Sequence, residues 1–346
     1  MTATDTQNSK NQNADADTMP SYAPTQSLAM AQKRAAMMAQ IRQFFAARDV
    51  LEVQTPLLSN AGNTDTFLQS VGAAVTYQDK PQTYYLHTSP EFAMKRLLAS
   101  WRVPMYQICP VFRNNEIGSR HNIEFTMLEW YRPQYDLDAL ADELTALLST
   151  LYGRAVSVQR YRYIDAFMDT LQIHPLTASV QALENCAKNL GLTGFDFNQS
   201  GMDSEDVRQS WLDLLFSHAI EPHLGHDMPT LIIDYPPATA ALAKTAKDAD
   251  GNTVAKRFEL YINGIEIANA YDELADGEAL RQRFERDNLL RVQHDLPVMP
   301  IDTHLLAACD DLPPCSGIAV GIDRLLMVLA SAKSLQAVIS FPSGLA

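Results

Sequence analysis

Positive charge is in short supply. The 346 residues hold 27 lysines and arginines against 41 aspartates and glutamates, for a net charge of −14. Polyanion affinity comes largely from basic side chains that displace counterions, so an indiscriminate phosphate-backbone binder is excluded. Long apolar runs are lacking as well. The strongest candidate, Ile318 to Ala332, is broken by Asp323 and Arg324 and does not reach the roughly 18 apolar residues of a membrane span. The N-terminus, MTATDTQNSKNQNADADTMPSYAPTQ, has no basic segment followed by an apolar one, so no secretory signal is read there and a cytoplasmic location is expected. Cysteine is scarce: Cys109, Cys186, Cys309 and Cys315 form no CxxC pair, which suits reduced thiols better than a disulfide frame or a zinc site. What remains is ordinary globular material, 47% hydrophobic and 20% charged, enough for a large core and incompatible with a fibrous or wholly disordered chain.

Residues 1–26 are polar, poor in aromatics and without periodicity, so they cannot repay the entropy of ordering and are expected to form a mobile tail. From Ser27 the sequence LAMAQKRAAMMAQIRQFFAARDV has apolar residues at helical spacing, then gives way to the alternating LEVQTPLL, stopped by Pro56. TYYLHT reads as a strand, PEFAMKRLLAS as a helix opened by Ser89 with Pro90 at its first position, and MYQICPVF as another strand. Helical segments at Leu137 to Leu151 and Val180 to Leu190 suggest an insertion over about 137–225. The last third returns to strands: TLIIDYP, RFELYINGIEIANAY, and GIAVGI before the helix DRLLMVLASA. Strands in hairpin-like pairs rather than βαβ alternation point to an α+β fold, a mixed and mostly antiparallel sheet flanked by helices, over residues 27–346.

Three segments carry candidate chemistry. In IEFTMLEWY taken as a strand, Phe125, Met127, Glu129 and Tyr131 share a face, with Phe125 and Glu129 about 13 Å apart. An aromatic platform and a carboxylate at that spacing could grip both ends of an elongated ligand; a half-buried strand whose Glu129 pairs with a core arginine would look the same. In RFELYINGIEIANAYDEL, Asn263-Gly264 signals a two-residue hairpin. Tyr261 then faces Glu266, and Glu259 becomes its diagonal neighbour, so two carboxylates could share a magnesium ion. A solvated hairpin edge is the plainer alternative. Glu273 has the opposite parity and would point away unless a bulge intervenes. In SGIAVGIDRLLMVL a small-residue strand opens a helix at Asp323-Arg324, a place suited to phosphate and equally to an ordinary capped helix.

VLEVQTP, VFRNNEIGSRHNIEFTMLEW and GIAVGIDR, in that order, resemble the three signature motifs of class II aminoacyl-tRNA synthetases. TSPEFAMKRLL and RFELYINGIEIANAYDEL resemble the lysyl branch, and within it the stand-alone ligases that modify the translation factor elongation factor P. The resemblance runs from about Ser27 to Ala346, and no N-terminal anticodon-binding domain is expected in so short a tail. It implies ATP and Mg2+ as cofactors and a set of roles. Arg113 would hold the α-phosphate and, with Arg324, act as a catalytic residue; His121 and Arg324 would hold the outer phosphates. Phe125 would stack on adenine, with Glu116 and Asn122 as further ATP contacts. Glu259 and Glu266 would bind magnesium, Glu259 also serving the nucleotide. Glu129, Tyr131, Asn269 and Glu273 would line the pocket for lysine or (R)-β-lysine, and Glu91 would lie near an amino group.

The departures from the family pattern are specific. The usual FRNE becomes FRNNE, placing Asn115 at the glutamate position and moving the carboxylate to Glu116. Ala319 stands where lysyl-tRNA synthetases have glycine and the protein-modifying ligases alanine, and one methyl on a pocket wall can shift selectivity by about 1–3 kcal/mol. NGFHEL becomes NAYDEL through Ala270, Tyr271 and Asp272. The resemblance implies activation of (R)-β-lysine as an adenylate and transfer to a lysine of elongation factor P, in a homodimer, with tRNA disfavoured as acceptor by the acidic surface and no membrane partner. A shortened lysyl-tRNA synthetase acting on another acceptor, and a non-catalytic amino-acid-sensing paralogue, are the alternatives.

Overall fold

A computed structural model of the chain describes residues 22–197 and 203–346. The expected mobile tail lies outside the described residues up to 21. Its end is held: the Thr25 N–H donates to the Ser340 carbonyl at 3.0 Å and the Gln26 amide to the Val338 carbonyl at 2.6 Å. Helix α1 (Leu28–Ala46) follows, capped by the Ser27 hydroxyl, which accepts from the Met30 N–H. Its apolar face, Met37, Ile41, Phe44 and Phe45, is spent on the core.

The elements then run β1 (Leu51–Glu52), β2 (Leu58–Ser59), β3 (Val71–Tyr77), β4 (Lys80–Leu86), α2 (Glu91–Trp101), β5 (Met105–Phe112) and β6 (Glu124–Pro133). After them come α3 (Leu137–Tyr152), β7 (Gln159–Arg162), α4 (Tyr163–Leu171), α5 (Val180–Asn189), α6 (Ser204–Leu215) and β8 (Thr230–Tyr235). The chain ends with β9 (Thr245–Lys247), β10 (Thr253–Ile262), β11 (Ile265–Asp272), α7 (Gly277–Gln293), α8 (Thr303–Cys309), β12 (Cys315–Gly321) and α9 (Ile322–Leu329). The main sheet has the order β1-β5-β6-β12-β11-β10-β8-β7, with β9 beside β10, and a second sheet has the order β2-β4-β3. Pairing in the main sheet is antiparallel except at its two ends, β1 with β5 and β7 with β8. This is the α+β fold with a mixed, mostly antiparallel sheet read from the sequence.

Two local readings shift. Ser89 does not cap α2: the helix begins at Glu91 with Pro90 at the capping position and no side-chain cap. The segment 137–225 is not one unit. Leu140, Leu144, Leu147 and Leu148 of α3 pack into the main core with Phe45 and Trp130, and β7 joins the sheet through β8. Among the described residues, α4, α5 and α6 and the turn after α6, with Phe216 and Ile220, build a separate layer, where Phe167, Leu183, Trp211 and Leu215 cover Ile232 and Tyr235 of β8.

The main core is anchored by Phe45, whose ring stacks on Tyr106 at 4.5 Å and meets Trp130 at 5.2 Å. Fully burying a side chain of that size contributes about 1.5–3 kcal/mol. No described helix is long and apolar enough to cross a membrane. All four cysteines are free, three of them buried.

Candidate active site

The middle strands of the main sheet form the floor of a cavity of about 960 Å³. Register explains why. Ala319 of β12 lies opposite Glu129 of β6 on one side and opposite Asn269 of β11 on the other. One step along, Gly317 lies between Tyr131 and Tyr271 in the same way. Directly opposed residues on neighbouring strands share a face, so each row presents its small central residue as the lowest point between polar walls. Gly317 is required there: a Cβ would stand 2.4 Å from Glu273 Oε1 and 2.4 Å from the Tyr131 ring.

The hairpin forms at Asn263-Gly264 with Tyr261 opposite Glu266, as its sequence predicts. Between that pair and Leu260 opposite Ala268 the register shifts, leaving Ile267 as the extra residue of a bulge. The bulge reverses the parity beyond it. Glu266, Asn269, Tyr271 and Glu273 therefore all line the cavity, and the opposite parity of Glu273 is cancelled.

One end of the cavity is cationic. Arg324, in the first turn of α9, donates to the Glu266 carbonyl at 3.1 Å and to His121 Nε2 at 2.7 Å, and lies 3.4 Å from Glu266 Oε2. Burial and the Arg324 charge lower the His121 pKa, so the ring stays neutral with Nε2 as acceptor. The Arg113 guanidinium lies 5.2 Å from the Phe125 ring centroid and 3.9 Å from Glu116, with its Nε buried and unpartnered. Asn115, the inserted residue of FRNNE, adopts φ 64° and donates to Gln69 at 2.8 Å. Asparagine tolerates that left-handed backbone, and the insertion is absorbed in the turn while Glu116 still lines the cavity. Asn122 also borders it, but its amide donates to the Glu124 carbonyl and accepts from the Ser343 N–H.

The other end is anionic. Glu129 is 2% exposed; Tyr131 donates to its Oε1 at 2.6 Å, and its Oε2 has no partner. Burial first, and the nearby Glu91 carboxylate second, push the Glu129 pKa well above the usual carboxylate value. Asn269 donates to the Tyr271 hydroxyl at 3.0 Å and leaves its Oδ1 buried and unpartnered. Two buried acceptors without donors are what an incoming ammonium group would satisfy. Glu91 and Glu273 complete this end.

Glu259 sits apart from the arrangement read in the sequence. It shares the face of Asn269, opposite it on β10, but is not among the cavity-lining residues. Arg257 pairs with it, and Tyr235 and Tyr261 donate to its Oε2 at 2.6 and 2.5 Å. Glu266 remains accessible to a ligand: its side chain is 39% exposed and pairs with Arg324 only at 3.4 Å. Among the described residues no three acidic, histidine or cysteine side chains are grouped to hold a metal by themselves. Magnesium is usually held by one or two carboxylates and completed by substrate phosphates and water, and Glu266 is a carboxylate of that kind on the cavity wall.

Several residues of the site escape a reading by motif. Lys95 is fully buried between Glu91 and Glu273, at 2.7 and 2.6 Å; its i,i+4 spacing to Glu91 was the available signal. Arg257 supports both Glu259 and the Tyr271 ring. Asp323, 2% exposed, accepts the Thr126 N–H at 2.6 Å and pairs with Arg34 of α1, which donates to the Thr126 hydroxyl at 2.6 Å. That clamp fixes the strand of Phe125 against the helix of Arg324.

Known proteins share this frame. The family described as tRNA synthetases class II (D, K and N) matches residues 20–344. A protein of Pectobacterium carotovorum named elongation factor P--(R)-beta-lysine ligase is 43% identical over 327 residues, covering 93% of this chain and 97% of that protein. Proteins of the same name from Yersinia pestis and Yersinia pseudotuberculosis are 43% identical over 332 residues, covering 94% of this chain and 98% of theirs. With a match over nearly its whole length and a sheet that brings the second and third signature segments to one cavity, the chain belongs to the class II tRNA synthetase family.

Proposed function

We propose that the protein is an ATP-dependent ligase that activates (R)-β-lysine as an aminoacyl adenylate and transfers it to a lysine of elongation factor P. The observation that carries this reading is a single cavity with Arg113, His121 and Arg324 at one end and Glu91, Glu129 and Glu273 at the other. A nucleotide triphosphate and a diamino acid lie head to head in such a space, and the relatives' names supply the acceptor and the amino acid.

The chemistry asks for fixed positive charge more than for a strong base. A substrate carboxylate oxygen attacks the α-phosphorus, pyrophosphate departs, and negative charge spreads over the equatorial oxygens. Arg113 is placed to meet that charge, with its planar fork held over Phe125. Arg324 and neutral His121 donate to the outer phosphates, and Phe125 offers its ring to adenine. When bound, magnesium would be held by Glu266, since Glu259 is engaged by Arg257, Tyr235 and Tyr261, and would neutralise the phosphates. In the second step the acceptor ε-amine attacks the acyl carbon and AMP leaves.

Pocket selectivity follows from the floor. The Ala319 methyl stands between Glu129 and Asn269, so it shortens the space at the place where the position of the substrate's amine is read. The acidic charge of the chain suits an acceptor domain with basic residues around its lysine, in the cytoplasm and without tRNA. A homodimer is expected for the family, and the short β1 at the sheet edge leaves Leu51 48% exposed.

The test is pyrophosphate exchange into ATP, run with β-lysine and with α-lysine, followed by transfer to purified elongation factor P. Exchange with β-lysine and acylation of the factor support the reading. Exchange with acylation of tRNA alone would favour a shortened lysyl-tRNA synthetase, and no exchange with either amino acid would favour a sensor.

A further inference from the structure

We propose that Lys95 is a specificity-determining residue: a built-in counter-ion that fixes the charge of the amino-acid pocket so that it admits two ammonium groups. The proposal rests on the reading of this cavity as a diamino-acid site.

Lys95 lies on the inner face of α2, one turn after Glu91, and is 1% exposed. Its ammonium sits 2.7 Å from Glu91 Oε1 and 2.6 Å from Glu273 Oε2. Burial alone would lower its pKa, but the Glu273 and Glu91 carboxylates outweigh burial and raise it, so the charge is permanent. The other ionisable groups facing it are Glu129 and Tyr131 of β6, Cys309 of α8 and Cys315 of β12. Burial pushes both thiols up, to about 11 and about 12, and raises the Tyr131 phenol well above its ordinary value. These three groups stay neutral.

The charge balance follows from those groups. Three carboxylates and one ammonium leave two negative charges when all are ionised, which two substrate ammonium groups neutralise. Lys95 also decides which acceptors are open. It donates a hydrogen bond to Glu91 Oε1 and forms an ion pair with Glu273 Oε2, while Glu129 Oε2 and Asn269 Oδ1 are buried with neither a hydrogen bond nor an ion pair. Only the pairing of Lys95 with two carboxylates brings a pocket this acidic down to the charge of a diamine. A lysine that merely stitched α2 to the end of β11 would add stability without setting selectivity.

The experiment measures pyrophosphate exchange and equilibrium binding for β-lysine and for the same β-amino acid lacking the distal amine. Glu273→Gln leaves one net negative charge and is expected to lose about tenfold or more of the preference for the diamine. Adding Lys95→Met removes the other half of the ion pair and returns the pocket to two negative charges. Lys95→Met/Glu273→Gln is then expected to recover the preference, with the loss and recovery seen in KM and Kd more than in kcat. Removing both members of a buried pair is the change least disturbing to folding, and circular dichroism checks it. A double variant that is folded but no more selective than Glu273→Gln, in an enzyme whose wild type does select the diamine, overturns the role of Lys95 while leaving the proposed function standing. A wild type that binds neither compound overturns both.

Discussion

Replacing Ala319 with glycine removes one methyl from the floor of the pocket, at the midpoint of the row Glu129, Ala319, Asn269. The backbone there is an interior strand paired on both sides, so the floor stays in place and the void opens into the cavity. An extra or missing methylene-sized group in a pocket is worth about 1–3 kcal/mol in discrimination, or about 10- to 200-fold. β-Lysine carries its amine one carbon further from the carboxylate than α-lysine, and in the proposed binding mode the methyl takes the space an α-amine would need beside Glu129. Ala319→Gly is therefore expected to raise kcat/KM for α-lysine relative to β-lysine by about tenfold or more. The assay is pyrophosphate exchange with each amino acid at saturating ATP. A ratio that stays within about twofold of wild type, with exchange intact, would refute the steric argument.

Gly317→Ala tests the neighbouring row. A Cβ there meets Glu273 and Tyr131 at 2.4 Å, so lysine-dependent exchange is expected to fall while ATP still protects the protein in thermal shift; unchanged exchange would mean those side chains are not the pocket. The pH dependence has a definite sign. Burial and the Glu91 carboxylate raise the Glu129 pKa, and a bound ammonium favours its ionised form, so KM for β-lysine is expected to fall as pH rises. A KM rising over the same range, or an unchanged slope in Glu129→Gln, would contradict this. Arg34→Ala breaks the clamp on Asp323. Because Arg34 is 23% exposed, the cost should be about 2–3 kcal/mol, below the 3–5 of a fully buried pair, read as a lower denaturant midpoint together with slower exchange.

Features set by neighbours in the chain were legible beforehand. Asn263-Gly264 needs only its own two residues to adopt the hairpin turn, and the alternation from Phe125 to Tyr131 is local. Both stand as read. The bulge at Ile267 is different, because its place depends on how β10 and β11 settle against β8 and β12, and no parity argument within one hairpin contains that information. Glu259 shows the same limit: Arg257 and Tyr261 are adjacent on its strand, yet Tyr235 comes from another strand 24 residues away, and together they draw the carboxylate off the cavity lining. For Lys95 the sequence shows the i,i+4 partner Glu91 and hides Glu273, one residue past β11, which only the tertiary fold brings near. Segment 137–225 looked like one insertion because helices are recognisable by period, whereas which face of the sheet each one covers is a tertiary matter.

The central claim is that the amino acid activated in this cavity ends on a protein side chain. Intact-mass measurement of purified elongation factor P, before and after incubation with the enzyme, ATP, magnesium and β-lysine, tests it most directly. The expected result is a gain of one β-lysyl group, dependent on ATP and lost in Arg113→Ala. An unmodified factor, in a reaction where β-lysine-dependent pyrophosphate exchange is running, would contradict it.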